Sequence, residues 1–550
     1  MNCAVKTSLT SLLKDTEHKE PLINKINEMV KHFSKLDIAT RLLLNSVIMY
    51  ALHFGRELPP IDQTLIVCCE NKFMKTRSKL QNDLVDEVYD TFGRDRGWDA
   101  MVEEIDCPML SYFKYDIALK IIANYKTHCQ ENIWSRIGSF VKFRLKEMEC
   151  FTNPRDYNKA AYFVVECFKD PDVEDPEWLN NADQEVKRKL QDVTFDVGEL
   201  LGTFDFTTMM KNNWQAAIPV LFEISRRFET TMSDVEPPRA FATLPSPKLK
   251  AKYMPINSSH LPALLKHMNI TEQAIKDIDA DEWWERLIDI KGLKSAKMKK
   301  FSGSIATDGL SCTVHFVRRV RDPPRPVFNE DKTFNKLMKP EDKSHQVIGI
   351  DPGRGDLAYA YYEIEGVNSD YHTDKEAKLR ISTKMYHHMA GKRNVERRRQ
   401  RYESSVNLNV EDEEKTVEEV LVSLGSLKTG LLVRYLKSVT DRFKILEEMM
   451  DKFCHEKRVK RLRWSSYIGY QRAKTKMGRL LKCGKKEPIF ALGGALIKPN
   501  SRGHASSPVQ QLKKILLVRG LLARTCYSEL LLVAFWSSAS HQRVQHVPYM

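Results

Sequence analysis

One stretch limits the choice of fold more than any other: His345-Gln-Val-Ile-Gly-Ile-Asp-Pro-Gly-Arg-Gly-Asp-Leu-Ala-Tyr-Ala-Tyr-Tyr362. Val347, Ile348 and Ile350 form a short apolar run of the kind found in buried strands. Asp351 ends the run, and Pro352 and Gly353 punctuate a turn. Leu357 to Ile364 then reads as a second strand, rich in aromatic residues. The pattern holds one carboxylate at the rim of a sheet, where the chain reverses. Such a carboxylate suits a divalent cation, which offsets its charge. Opening an ordinary Asp-Pro-Gly turn is the competing use of Asp351. An ATPase of the actin and sugar-kinase fold also begins with a strand, an Asp and glycines. That fold requires further Gly-rich phosphate loops, and none stands out downstream.

At 550 residues the chain has room for several domains, each with its own core. Its 87 Lys and Arg exceed its 73 Asp and Glu, giving a net charge of +14. That surplus favours a polyanionic partner, with nucleic acid ahead of an anionic membrane. The 11 cysteines include no Cys-x-x-Cys pair. This argues for a reducing compartment and against both a disulfide framework and a zinc site. The opening residues carry no apolar signal core, and no stretch reaches the length of a spanning helix. The expectation is a nuclear or cytoplasmic protein with no membrane partner.

Residues 1–233 read as a mostly helical region for nucleic-acid recognition. Leu22, Ile23, Ile26, Met29, Val30 and Phe33 repeat at helical spacing, and Ile38 to Leu52, Ile117 to Tyr125 and Trp134 to Met148 continue the pattern. Lys142, Arg144 and Lys146 face either nucleic acid or solvent. Residues 234–343 read as a small β-rich region with a linker. Prolines open it, and Asp308-Gly309 marks a hairpin between alternating strands from Ser304 to Val317. Within it Lys248, Lys250 and Lys252 alternate beside Tyr253. Two uses fit: an extended segment lying on phosphates and a base, or an edge strand kept from pairing by its lysines.

Residues 344–523 read as a third domain, and 524–550 as an aberrant tail. Lys392, Arg393, Arg397, Arg398, Arg399 and Arg401 crowd one helical segment against a single acid, Glu396. That density favours phosphate contact over a solvated face. Ser404 to Glu419 reads as a polar, acidic loop. Leu432, Leu436, Val439, Phe443, Leu446, Met450 and Phe453 alternate in steps of four and three, which specifies an amphipathic helix packed on a core or partner helix. A second basic block includes Arg461, Arg463, Arg472, Lys474 and Lys476, interleaved with Trp464, Tyr467 and Tyr470. These aromatics either line a nucleic-acid groove or form the helix's core face. Ile489 to Ile497 reads as a buried strand, Asn500 to His504 as a turn, and Pro508 to Ala523 as a basic amphipathic helix.

Several stretches in order resemble one family, the eukaryotic TnpB-like proteins of the Fanzor type, encoded by transposons. They are Leu244 to Ile256, Ala306 to Ser311, Val347 to Ala360, Ser382 to His387, Leu462 to Tyr467 and Gly493 to Pro508. The opening Val5-Lys-Thr-Ser-Leu-Thr-Ser-Leu-Leu13 also looks like members from fungi. The resemblance implies a multidomain α+β protein: a helical N-terminal half, a small β-rich middle region and a C-terminal RNase H-like (RuvC-like) α/β domain. It further implies an RNA-guided DNA endonuclease, with guide RNA and target DNA as partners. Three acids would hold two magnesium ions, which activate water and stabilise the leaving oxygen. Asp351 would be the first ligand.

The remaining ligands do not follow. No acid accompanies Gly493-Gly494-Ala495, where the family carries one, and the expected Glu motif, Cys pairs and final Asp are missing. From 524 to 550 only Arg524, Glu529 and Arg543 are charged, which suggests an altered reading frame or retained intron near residue 523. The expectation is an incomplete nuclease domain, catalytically defective as encoded, that still binds RNA or DNA.

Overall fold

A computed structural model describes residues 2–14, 19–74, 79–96, 98, 105, 107–170, 172–202, 206–231, 235–267, 273, 275, 278–293, 299–318, 345–352, 356–363, 376–410, 413–481, 487–492, 512, 516 and 521–524. The fold is mixed α+β and mostly helical. It divides into two compact units, and neither is one continuous stretch of chain. Residues 2–318 and 403–456 make the first unit, while the described parts of 319–402 and 457–550 make the second. The three consecutive domains read from the sequence are therefore redrawn.

The first unit opens with a strand, β1 (Asn2–Ser8), where a helical region was expected. Ser8 then caps a short helix, its Oγ accepting from the Ser11 N–H at 3.0 Å. Helix α1 (Lys19–His53) runs through the middle of the unit. Its first turns show the expected stripe, with Leu22, Ile26, Met29, Val30 and Phe33 buried. From Phe33 to Ala51 every residue is buried, as befits a helix enclosed on all sides. Helices α2 (Gln63–Asn71), α3 (Lys114–Glu147) and α4 (Ala217–Thr230) surround it. The two helical segments expected across 117–148 are one helix, α3.

Strands β2 (Met254–Asn257), β3 (Lys299–Thr307) and β4 (Ser311–Arg318) complete an antiparallel sheet in the order β1-β4-β3-β2. The β3–β4 turn is the Asp308-Gly309 hairpin expected from sequence. Gly309 has φ 82°, and Asp308 Oδ1 accepts from the Ser311 N–H at 2.9 Å.

The second unit begins with β5 (His345–Asp351), β6 (Asp356–Glu363) and β7 (Glu376–Ser382), an antiparallel run. Helices α5 (Thr383–Met389) and α6 (Lys392–Glu403) follow.

The chain then returns to the first unit. Residues expected to form an acidic loop instead make a hairpin, β8 (Asn407–Val410) and β9 (Glu413–Thr416), then helix α7 (Val417–Ser423). The acids have structural work here. Glu419 accepts from the Thr416 N–H at 2.8 Å, and Thr416 Oγ1 accepts from the Glu419 N–H at 3.2 Å, forming a reciprocal capping box. Helix α8 (Leu432–His455) is the expected amphipathic helix and packs on α1. Leu432, Leu436, Val439, Phe443, Leu446 and Met450 are buried, each burial favouring the fold by about 1.5–3 kcal/mol. Glu229, at the end of α4, fastens the entry to α8. It accepts from the Gly430 N–H at 2.6 Å and from Thr429 Oγ1 at 2.7 Å.

The second unit closes with α9 (Lys457–Leu481), β10 (Glu487–Leu492) and β11 (Leu521–Arg524). Its sheet runs β11-β10-β5-β6-β7, with β10 parallel to both β5 and β11. Ile348, Ile350, Leu357, Ile381, Phe490, Met477 and Leu481 share one apolar core. The basic helix expected over 508–523 is curtailed, because Leu521 to Arg524 pair with Ile489 to Leu492 as a strand. Leu512 and Leu516, four residues apart, are helical and buried in that core. The expected turn at 500–504, the last residues of the strand expected to reach Ile497, and the tail beyond Arg524 lie outside the described residues. No helix among the described residues is long and apolar enough to cross a membrane.

Candidate nucleic-acid interface

Strand alternation places Ile348 and Ile350 in the core and carries Asp351 past it to an exposed position at the carboxyl end of β5. Asp351 pairs across the ladder with Tyr359 of β6. Because β6 runs antiparallel, its first residue, Asp356, stands at the same end of the sheet. Nothing in the sequence singles out Asp356, and only the register reveals its place. Its Oδ1 accepts from Arg380 Nε at 2.7 Å, so an arginine already answers its charge.

On the other side of β5, Leu492 of β10 pairs with Ile350, one residue short of Asp351. The sequence continues as Gly493-Gly494-Ala495, outside the described residues. Among the described residues no three His, Cys, Asp or Glu side chains gather to hold a metal ion. One open carboxylate and one arginine-paired carboxylate do not fit a two-magnesium centre.

The cations of α6 are displayed to solvent. Lys392, Arg393, Arg397, Arg398, Arg399 and Arg401 are all exposed, and only Tyr402 of this helix is buried. Arg399 pairs with Glu396 at 2.6 Å. A helix polar on nearly every side gains little from packing, and its like charges oppose one another. A phosphate backbone laid along such a surface relieves that repulsion.

Helix α9 divides its residues between core and surface. Ala473, Met477 and Leu481 enter the core, and Tyr470 lies 6.1 Å from Tyr386 of α5, centroid to centroid. Arg461, Arg472 and Lys476 are exposed, while Arg463, Trp464 and Lys474 are half-buried. Trp464 and Tyr467, three residues apart, stack at 5.3 Å. Of the aromatics, Tyr470 packs inward as part of the core face, while the Trp464–Tyr467 stack lies at the half-exposed surface.

The Lys248–Tyr253 segment belongs to the first unit and is neither an edge strand nor a free strap. Residues 245–253 run without strand pairing along α1 and α3, and β2 starts just after them. Asn45 of α1 donates to the Pro245 carbonyl at 3.2 Å, and the Lys252 N–H donates to Ser34 Oγ at 2.8 Å. Lys120 of α3 donates to the Tyr253 carbonyl at 2.8 Å. The Tyr253 hydroxyl bonds to Ser311, and the Lys6 ammonium lies 4.7 Å from its ring centroid. Tyr253 therefore works as an anchor rather than as an open stacking platform for a base. Lys252 ion-pairs with Asp37 at 3.0 Å, and Arg41 grips the same carboxylate at 3.0 and 3.1 Å. Burial alone would raise the Asp37 pKa, but Arg41 and Lys252 overcome it and hold the carboxyl below its usual range.

Lys248 and Lys250 are exposed on the same segment. With Arg41, Lys120 and Lys252 they line a groove of about 690 Å³. Of the cations considered on α3, Arg144 is committed within the protein, to Asp196 and Glu147 at 2.9 Å each.

Neither the protein-family models nor the curated proteins contain a match to this chain.

Proposed function

We propose that the chain is a nucleic-acid-binding protein descended from a TnpB-like, Fanzor-type nuclease of transposon origin, and that it binds RNA or DNA without cutting it. The binding half rests on one observation: α6 displays six exposed cations and carries two acids, Glu396, which is paired with Arg399, and Glu403. Arg461, Arg472 and Lys476 of α9 extend the basic character within the same unit.

The strand order supports the descent. A RuvC-like sheet needs a central strand that ends in an Asp, flanked by an antiparallel pair on one side and parallel strands on the other. The order β11-β10-β5-β6-β7, with Asp351 closing β5, agrees with that requirement. The donor set supports the loss of cutting. Two magnesium ions near one another repel, and phosphodiester hydrolysis by that route needs several carboxylates to hold them. After Leu492, the partner of Ile350, the sequence continues as Gly493, Gly494 and Ala495, none of them acidic, and Asp356 is paired with Arg380. Magnesium belongs in this reading to the ancestral reaction, and the nucleus or cytoplasm is its setting.

A combined Arg397→Gln, Arg398→Gln and Arg401→Gln variant tests the reading. Binding of a labelled RNA or DNA should weaken, and the slope of log K against log salt should become shallower by about one unit for each phosphate no longer neutralised. Unchanged affinity and slope would remove α6 as the interface.

A further inference from the structure

We propose that the groove between α1, α3 and residues 245–253 is a binding site for a phosphomonoester group. This inference stands apart from the nuclease ancestry and from the α6 interface, because every residue in it belongs to the first unit. The groove's volume, about 690 Å³, falls in the range of small-ligand sites.

Its cations converge from three separate elements: Arg41 from α1, Lys120 from α3, and Lys248, Lys250 and Lys252 from the extended segment. Among the described residues, two carboxylates line it with them, Asp37 and Glu131. A terminal phosphate carries roughly −1.5 to −2 charges at neutral pH, which fits this local surplus. A phosphodiester backbone asks instead for cations spread along a line, as on α6.

The site is also built rather than incidental. Arg41 is buried and is fixed by Asp37 through Nε and Nη2, which leaves Nη1 outside that pair. Lys120 is half-buried and held by its bond to the Tyr253 carbonyl. Burial lowers its pKa, with Asp37 and Asp116 opposing the shift. Asn124, Thr127 and His128 line the α3 wall, and His128 donates from Nε2 to the Thr243 carbonyl at 3.1 Å. These neutral polar groups suit a sugar or a base attached to the phosphate.

Two sources share this chemistry: the phosphorylated end of a nucleic-acid strand and a free mononucleotide. The test uses the full chain, with AMP and adenosine in calorimetry and thermal unfolding, and with one short oligonucleotide carrying either a 5′-phosphate or a 5′-hydroxyl. AMP should bind and raise the unfolding midpoint, and adenosine should do neither. Lys248→Glu, at an exposed position, should weaken AMP about two- to five-fold, the size of one near-surface charge interaction. Glu131→Gln, which removes a groove carboxylate, should tighten it. The triple α6 variant should leave AMP binding unchanged, which separates this site from the proposed interface. With AMP binding established, a preference for the 5′-phosphorylated oligonucleotide that AMP abolishes assigns the site to strand ends. Equal binding of the two oligonucleotides assigns it to free mononucleotides. No AMP binding at millimolar concentration, or AMP binding indifferent to both groove variants, would overturn the proposal.

Discussion

A Cβ placed on Gly469 of α9 would lie 2.1 Å from the carbonyl oxygen of Ala390, the residue that caps α5. The two helices cover the same face of the second unit's sheet, and the glycine allows their backbones to meet. Gly469→Ala should therefore push α5 and α9 apart. The expected cost is about 1–3 kcal/mol, read as a lower midpoint in denaturant. Gly138 gives the contrast, because it sits inside α3 with the nearest atom to its Cβ, Val165 Cγ2, at 3.6 Å. Gly138→Ala should instead stabilise by about 0.5–1 kcal/mol. Equal effects would contradict this account of helix packing.

Glu70 of α2 is fully buried, and neither carboxylate oxygen has a hydrogen-bond partner. Burial raises its pKa well above the ordinary value of 4.5, with Lys114 opposing the shift. The folded state then holds a proton that the unfolded chain releases. Stability should fall as pH rises from 4.5 toward the folded pKa. Glu70→Gln removes this loss while keeping the shape. It should raise stability at and above neutral pH by about 1–2 kcal/mol, with a smaller effect in acid. A pH-independent effect of the substitution would remove Glu70 as the titrating group.

His32 lies beside the ion pairs that join α1 to α8, in which Lys31 contacts Glu447 at 2.6 Å and also pairs with Asp451, and Lys35 pairs with Glu447. Its Nδ1 is buried without a partner. Burial first, then Lys35 and Lys31, lower its pKa from 6.5 to about 4. Between those values the unfolded chain binds the proton and the folded chain does not. His32 should thus lower stability as pH falls through this window, with no contribution above it. Urea midpoints at pH 7.5 and pH 5 should differ less for His32→Gln than for the parent protein. An identical acid dependence would exclude His32.

What could be read in the sequence was local. The seam of α8 was legible because its four-and-three spacing repeats along the whole helix, and the Asp308-Gly309 hairpin because a glycine at φ 82° has few other uses. The place of Asp351 at a strand end followed from the apolar run before it. What escaped was long-range. Nothing near Asn2–Ser8 announces that it pairs with Ser311–Val317, far downstream in the chain. The capping box at Thr416 was present as Thr-x-x-Glu but was hidden within an acidic composition. Asp356 joined the sheet end only through the β5–β6 register, and Tyr253 lost its stacking role only through Ser311 and Lys6.

The claim that most needs testing is binding without cutting. The direct measurement incubates the purified full chain, with any co-purifying RNA retained, with labelled DNA and magnesium. Retention on a binding assay and cleavage on a denaturing gel are read from the same samples. The account expects salt-sensitive retention of nucleic acid, intact DNA at every time point, and the same behaviour from Asp351→Ala. Magnesium-dependent cleavage that disappears in Asp351→Ala would contradict it and restore this chain to the active nucleases.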